Sequence, residues 1–343
     1  MITVENAILD IQNVSVRFAN GSAVQAVEQV SLSVFPSDKL CIIGETGSGK
    51  SILLLSVLRL LPASAVVSGD VCFHGQSLFA LSPKQMDGVR GGQISYVPQG
   101  SGNGMNPLLS VGFQVGEPLI AHRGMNKNRA IARAVELMRR FHLGREEELA
   151  RQYPYTLSGG MRQRALIAMG ISADAELLLF DEPTSALDPG MIGEVQAVIR
   201  MLAKSGITMM IVTHEMDFAR KIANRVFFMD EGGIYEEGSP KEIFERPQKP
   251  NTIKFIKRLT SLTYKIETVD YDFTEAYDEL QQYAEKLLIE NERISDLQIA
   301  LEEIVVNNIM ENTDAPQVLV RVDYSEKLDL LTLSIRYQGD HHD

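Results

Sequence analysis

The sequence predicts an α/β fold with a parallel sheet at its core, followed by a smaller α+β unit. Short apolar runs at residues 177–180, 209–212 and 226–229 are separated by segments of helical length. Strands that alternate with helices on this scale are typical of parallel sheets covered by helices. The 343 residues suit one large domain and a small one, and a change in charge near residue 263 marks a boundary.

Charge is distributed unevenly along the chain. Residues 1–263 contain 27 Lys and Arg against 26 Asp and Glu, a net charge of +1, whereas residues 264–343 contain 6 against 19, a net charge of −13. A Pro-flanked segment, residues 246–251, precedes this change. We therefore expect a first domain over residues 1–246, a linker and helix over 247–263, and an acidic, regulatory domain over 264–343. Its negative charge argues against direct nucleic-acid contact.

The N-terminal part of the chain is expected to form an antiparallel sheet beside the core. Residues 8–18 and 30–35 alternate apolar and polar side chains, as half-buried strands do. Residues 40–43 form a continuous apolar run instead, which is the pattern of a strand buried on both faces of a parallel sheet. Helical periodicity follows at residues 51–61.

A helical subdomain is expected at about residues 100–172. Within it, residues 112–172 contain several helical patterns and little strand signal, and residues 128–141 are the clearest. An apolar face is available there from Ile131, Ala134, Val135, Leu137 and Met138. Two later helical patterns, at residues 191–204 and 216–223, separate the apolar runs of the core.

Composition argues against several classes of protein. No stretch approaches the roughly 18–20 uninterrupted apolar residues of a membrane-spanning helix; Ser56 and Arg59 interrupt the longest candidate, residues 52–61. The N-terminus lacks the basic and then apolar pattern of a signal peptide, so a cytosolic protein is expected. Cys41 and Cys72 lie in strand-like runs without metal-ligand spacing, which favours two buried thiols over a disulfide.

Residues 44–51 match the phosphate-binding loop, a glycine-rich turn that ends in Lys and Ser. The motif consists of Gly44, Glu45, Thr46, Gly47, Ser48, Gly49, Lys50 and Ser51. Glycines let the backbone curl so that its N–H groups and the following helix N-terminus point at phosphate oxygens. Lys50 would then neutralise the β- and γ-phosphates, and the Ser51 hydroxyl would complete the shell of a Mg2+ ion.

Two acids follow a buried strand. Asp181 and Glu182 come directly after the apolar run 177–180, at the carboxyl end of a strand, where parallel sheets hold their ligands. Beside a phosphate loop, Asp181 is suited to bind Mg2+ and Glu182 to act as general base towards the attacking water. The alternative is a solvated acidic pair.

A second glycine turn opens a helix at Ser158, Gly159 and Gly160. Its free N–H groups and the Ser158 hydroxyl form another anion site. One nucleotide does not easily need two such helix ends on one chain, which suggests that this turn serves an ATP held by another subunit. With these motifs, the sequence resembles the nucleotide-binding subunits of ABC transporters, whose core is a RecA-like P-loop NTPase fold.

The smaller motifs of that family follow in order and complete the resemblance. It implies that Phe18 stacks on adenine, that Gln99 reaches Mg2+ and water, that the loop ending at Asp188 crosses a dimer, and that His214 senses the γ-phosphate. Separations of 24 residues from position 157 to Asp181, and 33 more to His214, make chance matching untenable. The resemblance covers about residues 8–262 and implies binding and hydrolysis of ATP with Mg2+.

Among ABC ATPases, the resemblance favours an importer subunit at the cytoplasmic face of the cell membrane. The implied partners are two integral membrane permease subunits, an extracytoplasmic solute-binding protein, and a second ATPase subunit that is either a copy or a paralogue. The alternative is a soluble ABC ATPase that acts on a ribosomal or chromosomal partner. Those relatives usually contain two ATPase units or a long coiled coil, whereas this chain has one unit and no heptad run.

The branch of importer is left open by two conflicting resemblances. Residues 106–112 and 116–118 resemble the peptide and nickel importers in the region that docks the membrane subunit, although residues 100–104 are looser than in that family. Residues 213–219 and 229–233 resemble the polar amino acid importers. We give the docking region more weight.

Residues 264–343 are expected to fold as strand, helix (274–290), helix (294–310), strand (318–323) and strand (328–336). Glu303 and Asn307 resemble the first ATP-site box of histidine-kinase-like folds, since an acid and an Asn four residues apart share a helix face. The chain lacks the glycine-rich lid of those folds, which favours a degenerate regulatory domain over a nucleotide site. The tail at residues 340–343, with His341 and His342, is either solvated or metal-binding, and we favour the former.

Overall fold

The chain divides into two compact units, Met1–Thr252 and Ile253–Asp343. The computed structural model describes residues 6–18, 24–100, 104–266, 271, 273–309, 317–325 and 329–338. Within these residues, no helix is both long and apolar enough to cross a bilayer.

The strands fall into three sheets. They are β1 (Leu9–Phe18), β2 (Val24–Val34), β3 (Lys39–Ile43), β4 (Ala65–Phe73), β5 (Gln76–Ser77), β6 (Ile94–Val97), β7 (Leu177–Asp181), β8 (Thr208–Val212), β9 (Arg225–Asp230), β10 (Gly233–Gly238), β11 (Leu259–Ile266), β12 (Gln317–Ser325) and β13 (Leu330–Gln338).

Helices connect and cover these sheets. They are α1 (Lys50–Val57), α2 (Pro83–Val89), α3 (Val111–Arg123), α4 (Lys127–Arg140), α5 (Glu146–Leu149), α6 (Gly159–Ser172), α7 (Pro189–Lys204), α8 (Met216–Ile222), α9 (Pro240–Glu245), α10 (Pro250–Lys257), α11 (Phe273–Leu287) and α12 (Asn291–Leu301). A π-helical stretch, Glu302–Ile309, continues α12.

The core of the first unit is a six-stranded sheet in the order β10-β9-β3-β8-β7-β6, and it confirms the predicted α/β class. All neighbours except β10 and β9 are parallel. Every residue of β7 and β8 is buried, which explains why these strands appear in the sequence as continuous apolar runs. The register aligns Ile42, Val212 and Asp181 in one row across β3, β8 and β7.

The predicted antiparallel sheet is present, in the order β2-β1-β4-β5. Its inner face joins the parallel sheet in one hydrophobic core that includes Val14, Val16 and Leu53. The second strand begins at Val24, earlier than the alternation at residues 30–35 predicts. Irregular pairing between β1 and β2 explains the difference, because each shift of register disturbs the alternation from which a strand is recognised.

The helical subdomain packs α3 and α6 against α4. The predicted helix 128–141 corresponds to α4, where Ala130, Ala134, Leu137 and Met138 are buried. Glycines allow α3 to approach its neighbours closely: a Cβ at Gly112 would lie 2.7 Å from the Ala150 Cβ, and a Cβ at Gly116 would lie 2.8 Å from the Ala130 carbonyl oxygen.

The second unit contains a three-stranded antiparallel sheet, β11-β12-β13, with α11 and α12. The helix expected in the linker is α10, but β11 begins at Leu259, before the expected domain start at residue 264. Register pairs Leu262 with Val322 and Tyr264 with Val320, so one face of β11 joins the apolar core of this unit. The first four residues of β11 are only half-buried and do not alternate between buried and exposed, so their sequence does not indicate a strand.

Replacing either of two helical glycines by alanine is expected to change the free energy of unfolding, in opposite directions at the two positions. Gly116→Ala should lower the free energy of unfolding by about 1–3 kcal/mol, because the added methyl meets the backbone of α4. Gly193→Ala should raise it by about 0.5–1 kcal/mol, because a Cβ there meets nothing within 4 Å and alanine favours the helix. Urea unfolding followed by circular dichroism suits a chain without tryptophan. Changes of the same sign in both variants would contradict this packing.

Candidate functional site

The predicted phosphate loop lies between β3 and α1. Gly49 adopts a left-handed conformation with φ of 96° immediately before the first residue of α1. A Cβ at Gly49 would lie 2.2 Å from the carbonyl oxygen of Ala26 on β2. The positive φ and this close approach both require glycine, so the antiparallel sheet supports the loop from behind.

Lys50 lies inside this loop and is 4% exposed. Its Nζ donates to the carbonyl oxygens of Gly44 at 3.0 Å and Glu45 at 2.6 Å, and to the Ser48 Oγ at 3.2 Å. Burial lowers the pKa of the Lys50 ammonium, and the negative charges of Glu182, Asp181 and Glu45 oppose that shift. The loop therefore holds one positive charge within a curl of backbone, an arrangement that suits phosphate.

Asp181 ends β7 facing the loop and is 3% exposed. The Ser51 hydroxyl donates to its Oδ1 at 2.6 Å, and the Tyr96 hydroxyl donates to its Oδ2 at 2.9 Å. Burial raises the pKa of the Asp181 carboxyl, whereas these two hydrogen bonds lower it. A hydroxyl oxygen and a carboxylate in contact are hard oxygen ligands of the kind that would hold Mg2+ beside a phosphate.

Glu182 contacts two other predicted catalytic residues, Gln99 and His214. Its Oε2 accepts from the Gln99 Nε2 at 3.3 Å and lies 3.2 Å from the His214 Nδ1. Its backbone N–H donates to the carbonyl oxygen of Val212 at 2.9 Å, and its φ is 42°. A non-glycine residue with positive φ is strained, and such strain concentrates at functional sites.

The second glycine turn is held apart from this cluster. Ser158 caps α6, and its Oγ accepts from the Met161 N–H at 3.3 Å. The Gly160 N–H donates to the Met191 sulfur at 3.2 Å. Asp188 precedes α7 without a side-chain capping bond and is exposed. Among the described residues, no hydrogen bond joins this turn to the phosphate loop.

Phe18, the predicted adenine-stacking residue, is the last residue of β1. It is half-buried, packs against the core of the first unit, and pairs with Val24 on β2 and Ala65 on β4. The structure therefore places an aromatic ring on the same sheet that supports the phosphate loop through Ala26.

Sequence reasoning missed two groups at this site. Tyr96 contacts Asp181 from the neighbouring strand, and Glu215 connects the segment after His214 to two other segments. The Glu215 carboxylate accepts from the Thr184 hydroxyl and, at 2.6 Å, from the Gln196 Nε2. A tyrosine in a short, largely buried strand indicates a partner for its hydroxyl, but the sequence does not show which residue that partner is.

Glu303 and Asn307, which resemble an ATP-site box, lie in the second unit. Glu303 and Asn307 are both exposed on the π-helical stretch, and neither makes a hydrogen bond or ion pair within the described part of the chain. The tail at residues 340–343 lies outside the described residues, as does most of the segment 100–104.

Known proteins are similar to this chain in sequence. A family model described as ABC transporter matches residues 27–185. A putative peptide import ATP-binding protein of Brucella melitensis is 37% identical over 264 residues, 74% of this chain and 78% of that protein. The dipeptide transport ATP-binding protein of Bacillus subtilis is 36% identical over 249 residues, 71% and 74% of the two chains.

Solved structures resemble the first unit. The ATP-binding cassette MJ0796, in a dimeric post-hydrolysis state bound to ADP and phosphate, is 27% identical with a TM-score of 0.60 and covers 68% of this chain and 98% of its own. CbiO1 of Clostridium perfringens, described as part of an ABC transporter complex, is 25% identical with a TM-score of 0.57 and covers 70% and 92%.

Proposed function

This chain belongs to the ABC transporter family of ATP-binding proteins, and from that premise we propose that it energises the import of peptides. As a member of the family, it binds ATP with Mg2+ and hydrolyses ATP. The observation that carries the proposal is the cluster of Lys50, Asp181, Glu182 and His214 in a chain whose relatives are named for peptide import.

Each residue of the cluster has a distinct role in this proposal. Lys50 and the N–H groups of the loop bind the β- and γ-phosphates, and Phe18 stacks on adenine. Ser51, Asp181 and Gln99 hold Mg2+, which neutralises phosphate charge when bound.

Glu182 accepts the proton of the attacking water in this proposal, because its carboxylate is close enough to the loop for its charge to raise the pKa of Lys50. Gln99 and His214 each lie within hydrogen-bond reach of one carboxylate oxygen of Glu182. They therefore orient the base before the water arrives, and His214 remains free to contact the γ-phosphate through its other nitrogen.

A second ATPase subunit would complete the site. Ser158, Gly159 and Gly160 lie at the start of α6, where N–H groups are exposed to an anion, and among the described residues they make no hydrogen bond to the phosphate loop of their own chain. In the proposed dimer, whether of copies or paralogues, this turn binds the phosphates held by the other subunit, and Asp188 lies where the two chains meet. The dimeric state of the cassette MJ0796 supports this arrangement.

The proposed partners are two integral membrane permease subunits and an extracytoplasmic solute-binding protein, with this chain at the cytoplasmic face. Leu108, in the segment that resembles the docking region of peptide importers, is 81% exposed. Exposed Tyr153 and Tyr155 stack with ring centroids 6.0 Å apart in the same subdomain. Exposed apolar side chains of this kind are typical of protein interfaces.

The second unit is proposed to regulate the ATPase. The family model matches residues 27–185, which lie within the first unit, so the second unit lies outside that match. It has its own apolar core, which includes Leu280, Val305 and Val320. Residues 264–343, which form most of this unit, have a net charge of −13 and therefore suit a protein or ligand contact rather than nucleic acid.

Glu182→Gln should bind ATP with unchanged affinity and lose turnover by about 10²–10⁴-fold, because the amide cannot accept the proton of water. Nucleotide binding and phosphate release are measured on the same preparation. Glu176→Gln is the matched control, since Glu176 flanks the same strand at its other end and bonds to His74. Hydrolysis at the unaltered rate in Glu182→Gln would remove this residue from its role.

Tagged Glu182→Gln chain, purified with ATP and Mg2+ from detergent-solubilised membranes of its native cell, should bring down two multi-span membrane proteins. The same purification in EDTA is the control, because the proposed ATP-bound dimer of ATPase subunits should need Mg2+ to form. Mass spectrometry identifies the partners and any second ATPase. Recovery of ribosomal or chromosomal proteins without a membrane protein would contradict the importer.

Removal of residues 259–343 should free the ATPase from regulation while leaving ATP affinity unchanged. This cut spares α10 and removes the whole sheet of the second unit, whereas a cut at residue 264 would divide β11. We expect the response of ATP hydrolysis to transported peptide, assayed with the membrane partners, to change by about fivefold or more. An unchanged rate and response would show that the unit does not regulate.

A further inference from the structure

Tyr96 lies on β6, the edge strand beside β7. The parallel register pairs Tyr96 with Leu179, and Asp181 follows Leu179 by two residues. Side chains two residues apart on a strand share a face. Tyr96 therefore extends on the face that presents Asp181, and its hydroxyl reaches the carboxylate across the strand pair at 2.9 Å.

Each oxygen of the Asp181 carboxylate has one hydroxyl donor. Ser51, on the phosphate loop side, donates to Oδ1, and Tyr96, on the sheet side, donates to Oδ2. Asp181 is 3% exposed, so water does not readily replace either hydroxyl. The two bonds together fix the rotation of the carboxylate about its Cβ–Cγ bond.

The ring of Tyr96 is itself fixed in position. It is half-buried and packs against the hydrophobic core shared by the two sheets of the first unit. A donor that is held by packing is a means of orienting a metal-binding carboxylate from outside the ligand shell.

We propose that Tyr96 is a positioning residue for the Mg2+ site: its hydroxyl holds the Asp181 carboxylate in the orientation that faces Ser51. The inference rests on the proposed role of Asp181 as a metal ligand and deepens it. Without this hydroxyl, Oδ2 of a buried carboxylate loses its donor, and the carboxylate must be ordered at the moment the metal binds. Loss of an outer hydrogen bond of this kind weakens metal binding by roughly 10–100-fold.

Tyr96→Phe tests the proposal because it removes only the hydroxyl. In a Glu182→Gln background, where ATP is not consumed, Mn2+ binding at saturating ATP is measured by electron paramagnetic resonance, and ATP affinity is measured separately in EDTA. We expect Mn2+ affinity to fall by about tenfold, equivalent to about 1.4 kcal/mol, with ATP affinity in EDTA unchanged. Tyr235→Phe, on the other edge strand β10, is the matched control and should change neither value.

Asp181→Asn separates the inference from the function on which it rests. If Asp181→Asn weakens Mn2+ binding and Tyr96→Phe has no further effect in that background, Tyr96 acts through Asp181. If Asp181→Asn weakens binding but Tyr96→Phe alone does not, the inference fails and the proposed site stands. If Asp181→Asn has no effect, the proposed metal site itself is wrong. Equal losses of ATP affinity with and without metal in Tyr96→Phe would make Tyr96 a purely structural residue.

Discussion

The parallel pairing of β3, β8 and β7 is the constraint on which the rest of the site depends. Their register aligns Ile42, Val212 and Asp181, so the residues that follow each strand leave the sheet at one edge. The phosphate loop, His214 and Glu182 are those residues. Because β7 and β8 are fully buried, and β3 is buried except at Lys39, packing in the apolar core maintains this alignment.

Much of this arrangement could be predicted from the sequence, because the groups that carry the chemistry lie in short local patterns. The loop from Gly44 to Ser51 needs its glycines within a few residues, and the acids at 181 and 182 directly follow the strand that presents them. Such motifs can be recognised in the sequence without knowledge of long-range contacts. The α/β class followed from the same property, since strands buried on both faces are apolar throughout.

What escaped prediction depends on pairing between distant segments. Tyr96 is 85 residues from Asp181, and Glu215 is 31 residues from Thr184, so neither contact is visible before strand order and register are known. The early start of β2 was hidden by shifts of register against β1, and that of β11 by its half-buried first residues. Glu215 also shows that the segments around His214 and α7 are joined, because its carboxylate accepts from both Thr184 and Gln196.

The backbone of Glu182 has a consequence for the evolution of the chain. At φ of 42°, a glutamate is strained, whereas glycine adopts this conformation without steric cost and asparagine or aspartate adopts it more readily than other side chains. A library of variants selected only for thermal stability would therefore tend to replace Glu182 by glycine and so accumulate well-folded chains without the carboxylate. Selection for stability alone and selection for ATP hydrolysis therefore act in opposite directions at this position.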